Sequence, residues 1–223
     1  MRAAFLAEDR ADLKFPTKEL ARFMSAPTTV AWDQLRKLGR YLVQAPRVVQ
    51  IFARQKRPSV MTIYSDSDHA GCLRTRRSTS ATVVMLGTHR LKVSSTTQVP
   101  ITLSSGESEW YALVKSATIG LGLRSSARDF GQEYELDLLT DSSAANGIGQ
   151  RRGAGGVRHI ETRSLWLQHQ VTDKRLKVKK TPGKTNPADL PTKHQDGTTI
   201  KDCMKRMGFI FCSGQSSLAL DTT

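Results

Sequence analysis

The sequence predicts an α/β protein built on a five-stranded mixed sheet, three antiparallel strands followed by parallel ones, flanked by helices. Three observations carry that expectation. The hydrophobic period changes from steps of three and four before residue 58 to strict alternation over residues 59–68. Three strand-like runs then succeed one another over short connections, as an antiparallel meander requires. Beyond them helical and strand-like stretches alternate, which needs crossover connections and parallel pairing.

Taken in order, residues 18–49 read as helical. Leu20, Phe23 and Met24 form one apolar cluster, and Ala31, Trp32, Leu35, Leu38, Leu42 and Val43 recur at helical spacing. Pro27 separates two helices, and Thr28 or Thr29 can cap the second. Two short helices cannot bury both faces alone, so this piece is expected to lean on the downstream chain or on a missing segment. Met1 opens in mid-pattern, as in a fragment of a longer polypeptide.

In SVMTIYSDSD, Val60, Thr62 and Tyr64 alternate with Met61 and Ile63, and the strand runs into Asp66 and Asp68. ATVVML and HRLKVSS are the next strands, turned at Gly87-Thr88. Ser104-Ser-Gly-Glu107 has capping-box spacing, and Trp110, Leu113, Val114, Ala117 and Leu121 form the stripe of a helix expected to stop at Gly131. YELDLLTD is a buried-strand pattern ending at Asp141. Residues 160–171 read as helix and 176–180 as strand. NPADLPTK reads as the start of a last helix with Pro187 in its first turn, and the chain after Gly208 as frayed.

Composition narrows the function classes. The 223 residues carry 34 Lys+Arg against 20 Asp+Glu, a net charge of +14, which favours a polyanionic partner such as a phosphate backbone. The charge is uneven, since residues 1–58 hold twelve basic and five acidic side chains. No run approaches the roughly 20 apolar residues of a membrane span. Glu8, Asp9 and Asp12 fall where a secretory signal would be apolar, so an intracellular protein, cytoplasmic or nuclear, is expected. Cys72, Cys203 and Cys212 form no CxxC pair, which speaks against disulfides and zinc.

Two expected strands end in aspartate, Asp66 and Asp141. Between them a helix begins with Glu107 and Glu109, and Asp189 opens a later one. Ligand crevices in open α/β sheets lie at the carboxyl ends of strands, so these acids are expected to converge. Converging carboxylates repel unless protons or cations compensate, and Mg2+ or Mn2+ suit carboxylate oxygens. The plain alternative is that each acid is solvated or caps a helix.

The residues also resemble a family. YSDSDHAG (64–71), RRSTS (76–80), LSSGESEWYAL (103–113), LLTDSSAA (138–145), RHIETR (158–163) and NPADLPTK (186–193) resemble, in that order, type 1 ribonuclease H. They are closer still to the ribonuclease H domain of copia-type long-terminal-repeat retrotransposon Pol polyproteins. Residues 18–42 resemble the end of the reverse transcriptase in the same polyproteins. The resemblance implies a ribonuclease H-like fold and three segments. These are a helical reverse transcriptase remnant at 1–57, a ribonuclease H-like domain at 58–196 and a C-terminal tail at 197–223.

It further implies endonucleolytic hydrolysis of the RNA strand of RNA–DNA hybrids with two Mg2+ ions, Mn2+ being able to substitute. The implied metal-holding catalytic set is Asp66, Glu109, Asp141 and Asp189, with Asp68 auxiliary. Helical periodicity leaves Glu107 and Glu109 open; the family's motif selects Glu109. Arg77, Ser80, Arg158, His159, Lys184 and Lys193 are the implied substrate-binding residues. The implied partners are an RNA–DNA hybrid and the reverse transcriptase of the parent polyprotein, with no membrane and no small-molecule cofactor. The alternative is an inactive nucleic-acid-binding domain of the same fold. Two departures from the pattern stand out. His69 replaces an aromatic residue, and TPGKTNPAD carries Lys184 and no histidine where cellular ribonucleases H have one.

Overall fold

A computed structural model of the chain describes residues 2–153, 155, 160 and 162–214, and for 162 and 163 the backbone only. Its helices are α1 (Arg2–Asp9), α2 (Lys14–Ala21), α3 (Thr29–Gln44), α4 (Ser105–Asp129), α5 (Ser143–Gln150), α6 (Trp166–Thr172) and α7 (Gly197–Arg206). Its strands are β1 (Arg47–Gln50), β2 (Val60–Asp68), β3 (Thr79–Leu86), β4 (His89–Thr97), β5 (Glu135–Thr140), β6 (Lys177–Lys180) and β7 (Phe209–Cys212).

The main sheet has the order β4-β3-β2-β5-β6. β2, β3 and β4 form the antiparallel meander, and β5 joins β2 in parallel, with Ile63 opposite Leu138. β6 extends the sheet in parallel on β5. The α/β architecture is therefore the one expected, with β2 at its centre. A chain whose strands all pair sequentially could close as a meander alone; here α4 must cross back to bring β5 beside β2.

Alternation along the strands feeds two apolar layers. Met61, Ile63, Val84, Leu136 and Leu138 pack with Trp110, Leu113 and Leu167 from α4 and α6. Val83 and Met85, neighbours of Val84 on β3, face the other way onto Met204, Met207 and Phe209. α4 begins as its sequence requires. The Ser104 hydroxyl accepts from the Glu107 amide, and Phe130 closes the helix before Gly131, whose φ of +69° is the left-handed turn glycine favours. Trp110 is fully buried, and its indole Nε1 donates to Ser164 Oγ at 3.1 Å. Ser164→Ala removes that acceptor and is expected to lower unfolding stability by about 1–3 kcal/mol, read as a urea midpoint shift at constant m.

The N-terminal segment is built onto this body. Ala11 enters the second apolar layer, and Ala7, Leu13 and Leu38 form a third cluster among α1, α2 and α3. Asp12, its side chain wholly buried, pairs with Arg10 at 2.6 Å and accepts from Tyr41 at 2.6 Å. From α2, Lys18 Nζ donates to Thr79 Oγ1 at 2.8 Å and Arg22 to Cys72 Sγ at 3.1 Å, so the helix braces the loop between β2 and β3. Val30, Trp32, Leu35 and Val43 of α3 are exposed.

Several local expectations give way. The helix expected to reach Val49 stops at Gln44, because Pro46 cannot donate to it, and Val48 and Val49 pair instead in β1. NPADLPTK makes only a 3-10 turn, Pro187–Asp189; Pro191 would clash with the carbonyl of Pro187 in a continuous helix. The last helix starts ten residues later at Gly197, where Asp196 caps the Thr198 and Thr199 amides. Of the stretch after Gly208, expected to fray, Phe209–Cys212 form β7 antiparallel to β1 with Phe209 buried, and residues 215–223 lie outside the described ones. The helix expected over residues 160–171 is, where described, a 3-10 turn over Thr162–Leu165 leading into α6. No helix among the described residues is long and apolar enough to cross a membrane.

Candidate active site

Parallel pairing of β2 and β5 brings their carboxyl ends side by side, which sets Asp66 and Asp141 at one edge of the sheet. Glu109 reaches the same edge from the second turn of α4. The Ser67 amide donates to Glu109 Oε1 at 3.1 Å, tying helix to strand at that point. One carboxylate oxygen from each of Asp66, Glu109 and Asp141 lies within 4.8 Å of the others. Asp66 and Glu109 are buried, and Glu109 Oε2 has no hydrogen-bond partner among the described residues.

Burial dominates the electrostatics here. It pushes the Asp66 carboxyl up to about 6, and the charges of Asp189 and Asp141 push the same way; a hydrogen bond from Thr192 opposes them. Burial, Asp66 and Asp141 push Glu109 up to about 9 against the Ser67 amide. Carboxylates held this close in a poorly solvated place keep their protons unless a cation replaces them. The donor set is all carboxylate oxygen, and one buried oxygen of Glu109 has no hydrogen-bond partner among the described residues, which fits a hard divalent ion. Gly183 makes room for this edge: a Cβ there would stand 2.7 Å from Asp141 Oδ2.

Asp189 sits on its 3-10 turn near Asp66 but outside the close trio. Asn186 fixes the turn, its Nδ2 donating to the Ser65 carbonyl at 3.0 Å and its Oδ1 accepting from the Ala188 amide. Asp189 Oδ1 is 2.8 Å from Lys193 Nζ, and Oδ2 accepts from Gln195 Nε2 at 2.9 Å. Asp68 is half-buried at the end of β2, its carboxyl raised by burial and lowered by the charges of Lys193 and Lys18.

Glu107 and Glu109 separate cleanly by environment. Glu107 Oε2 accepts from the Leu103 amide at 2.7 Å while its own amide donates to Ser104 Oγ, a helix-start role. Glu107→Ala is expected to cost about 1 kcal/mol of stability and to leave any Mg2+-induced rise in Tm intact. Glu109→Gln is expected to abolish that rise. Thermal scans with EDTA and with Mg2+ check both.

The residues expected to meet substrate are scattered in environment. Arg77, Lys184 and Lys193 are exposed, in the β2–β3 loop, beside Gly183 and beside Asp189. Ser80 is buried in β3 and accepts from Gln98 Nε2 at 2.9 Å, so its side chain is spent inside the protein. Arg158 and His159 lie outside the described residues. Thr192 and Gln195 escape a reading of the sequence, because nothing in their spacing tells a residue that touches an acid from one in solvent.

The chain is similar in sequence to known proteins. Over 201 residues, 89% of the chain, it is 24% identical to a retrovirus-related Pol polyprotein from transposon TNT 1-94 of Nicotiana tabacum, and covers 15% of that protein. Over 213 residues, 92% of the chain, it is 25% identical to the Pol polyprotein from transposon RE2 of Arabidopsis thaliana, covering 14% of it. Its relatives over about 90% of its length are thus copia-type retrotransposon Pol polyproteins. The chain spans about one-seventh of the length of those relatives. No family model matches it. Among solved structures it is similar to the N-terminal ribonuclease H domain of a Mycobacterium tuberculosis protein, at 15% identity and a TM-score of 0.42, over 66% of this chain and 97% of the other.

Proposed function

We propose that this Pol segment is a metal-dependent endonuclease that hydrolyses the RNA strand of RNA–DNA hybrids during retrotransposon reverse transcription. The observation that carries the reading is the Asp66–Glu109–Asp141 trio at the carboxyl edge of the sheet, with Asp66 and Glu109 buried and one Glu109 oxygen unpaired among the described residues. Asp66, Glu109 and Asp141 would hold a divalent ion, and Asp189 would complete a second position beside Asp66. Mg2+ is the ion proposed, with Mn2+ as substitute; bound there, it supplies positive charge to the phosphoryl oxygens of the scissile bond.

The chain's own groups do the rest. Burial of Asp66 and Glu109 keeps bulk water from screening the site, which strengthens every charge interaction in it. Arg77, Lys184 and Lys193, exposed around the edge, are suited to phosphates of the hybrid, consistent with the net charge of +14. Recognition of RNA rests on its 2′-hydroxyls across a shallow minor groove. The reverse transcriptase part of a Pol polyprotein is the partner we assign to the exposed face of α3, where Val30, Trp32 and Val43 stand in solvent.

The test is a comparison of end-labelled RNA–DNA hybrid, double-stranded RNA and double-stranded DNA, each with Mg2+, with Mn2+ and with EDTA. Internal cleavage of only the RNA strand of the hybrid, leaving 5′-phosphate ends and stopped by EDTA, is the expected result. Tight binding of hybrid without cleavage under any condition sinks the enzyme reading and leaves the inactive nucleic-acid-binding domain.

A further inference from the structure

No Asp or Glu occurs between Asp33 and Asp66, so the chain that joins α3 to the main sheet carries basic charge alone. Within it, residues 51–58 form neither helix nor strand, and Phe52 is 62% exposed. Arg54, Lys56 and Arg57 are exposed too and take part in no ion pair among the described residues. One side of the segment is nonetheless fastened to the turn between β3 and β4. The Ile51 amide donates to the Gly208 carbonyl at 2.8 Å, and a His89 ring nitrogen donates to the Ala53 carbonyl at 2.8 Å. Gln55 Nε2 donates to the Leu86 carbonyl at 2.9 Å while its Oε1 accepts from the Thr88 amide at 2.9 Å. The Phe52 ring meets the His89 ring edge-on, with centroids 5.3 Å apart. Gln55 is thus spent on the protein, and its neighbours Arg54 and Lys56 stay in solvent. The segment lies at the amino ends of the strands, where the Glu135 amide donates to the Ser59 carbonyl. Glu133 and Glu135, acids at that end, are paired with Arg128 and Lys177. Asp66 lies near the other end of β2, about 20 Å from Val60 at 3.3 Å per residue.

We propose that residues 52–57 are a binding site for single-stranded nucleic acid, separate from the acidic edge, in which Phe52 stacks on a base and Arg54, Lys56 and Arg57 take neighbouring phosphates. Three exposed cations with no acid among them suit a polyanion. The exposed aromatic ring between them and the sheet narrows this to an unpaired strand. A duplex keeps its base faces stacked within itself, whereas every unpaired base has a face to offer. The bonds to the β3–β4 turn hold the segment in one shape beforehand, so little ordering entropy is lost on binding. A short duplex seated at the acids leaves this opposite edge free, so the two sites can be filled together. The inference goes beyond the proposed cleavage and does not depend on it, although removal of RNA from a hybrid would leave single-stranded DNA beside the protein.

The experiment is fluorescence-anisotropy titration of the full chain with labelled oligo(dT), oligo(U) and a blunt RNA–DNA hybrid, in EDTA and over a series of salt concentrations. Wild type is compared with Phe52→Ala, Phe52→Trp and the triple variant Arg54→Gln, Lys56→Gln, Arg57→Gln. Phe52→Ala is expected to weaken binding of both single strands roughly fivefold or more, to leave the salt slope unchanged and to leave hybrid affinity within about twofold. Phe52→Trp, which keeps a stacking face, is expected to bind as wild type does. The triple variant is expected to lower the slope of log affinity against log salt by about 2, three phosphates at about 0.7 each. All the replaced side chains are exposed, so the variants are expected to keep the Tm of wild type, which thermal scans check. Single-strand affinity unchanged by Phe52→Ala and by the triple variant, or no single-strand binding by wild type, overturns the inference. So does a loss on Phe52→Ala that is as large for the hybrid as for the single strands, since the segment would then be a general polyanion face. Because no step needs a metal ion or a cut strand, each of these outcomes leaves the acidic site untouched, and failure of cleavage leaves this site standing.

Discussion

Asp66→Asn is expected to lower the rate of RNA-strand cleavage by more than about a hundredfold, because losing an outer partner of a metal ligand already costs up to about that much. Asp66 is the acid whose carboxyl interacts with both Asp141 and Asp189, so it is common to the two halves of the site. The amide has the same shape and can still meet Thr192, so the fold is expected to survive. Removing one of several repelling carboxyls is in fact expected to raise the Tm in EDTA while reducing the further rise on adding Mg2+. Single-turnover cleavage of a labelled hybrid, beside thermal scans with and without the ion, checks all three. Cleavage within about tenfold of wild type would show that Asp66 is no part of the reacting centre.

The metal-free protein is expected to lose stability as pH rises from about 4 to about 9, opposite to a protein held by ionised salt bridges. The direction comes from the folded-state carboxyls. Asp66 is raised from its ordinary 3.8 to about 6 and Glu109 from 4.5 to about 9, each mainly by burial. Between those limits the folded state holds protons that the unfolded chain has released, and stability then falls with pH. Stability contributed by the protonated Asp66 is complete below about 4 and gone above about 6; for Glu109 the loss continues to about 9. Each pH unit of displacement corresponds to about 1.4 kcal/mol, so the two groups together amount to several kcal/mol. Saturating Mg2+ is expected to flatten the profile, because the ion favours the deprotonated carboxylates of the folded state. Urea midpoints at pH 5, 7 and 9, in EDTA and in Mg2+, measure it. A urea midpoint that climbs with pH in EDTA would mean that these acids are solvated and apart from one another.

Much of the sheet is legible in the sequence because its signals are local. β2 shows alternation over Val60–Tyr64, and α4 carries its cap at Ser104, its apolar stripe from Trp110 and its stop at Gly131 within a single stretch of chain. Apolar spacing alone overruns the helix ends. Pro46 and Pro191 each cut short a helix that the spacing would extend. FIFC is too short to signal a strand alone; β7 exists because β1, some 160 residues earlier, lies alongside it.

At the site, the sequence by itself determined which acids end or open which elements: Asp66 near the end of the first strand of the sheet, Glu109 in the turn after a capping box, Asp141 at the end of β5, Asp189 beside Pro187. Those facts depend on backbone preferences that act over a few residues. The capping-box place of Glu107 was legible in the sequence too, whereas only the fold decided that Glu109 is tied to the Ser67 amide, that Ser80 is buried against Gln98, and that Asp189 is held by Lys193 and Gln195 away from the close trio. Burial, repulsion and ion pairing act through space between residues brought together by the crossover, so no spacing along the chain encodes them.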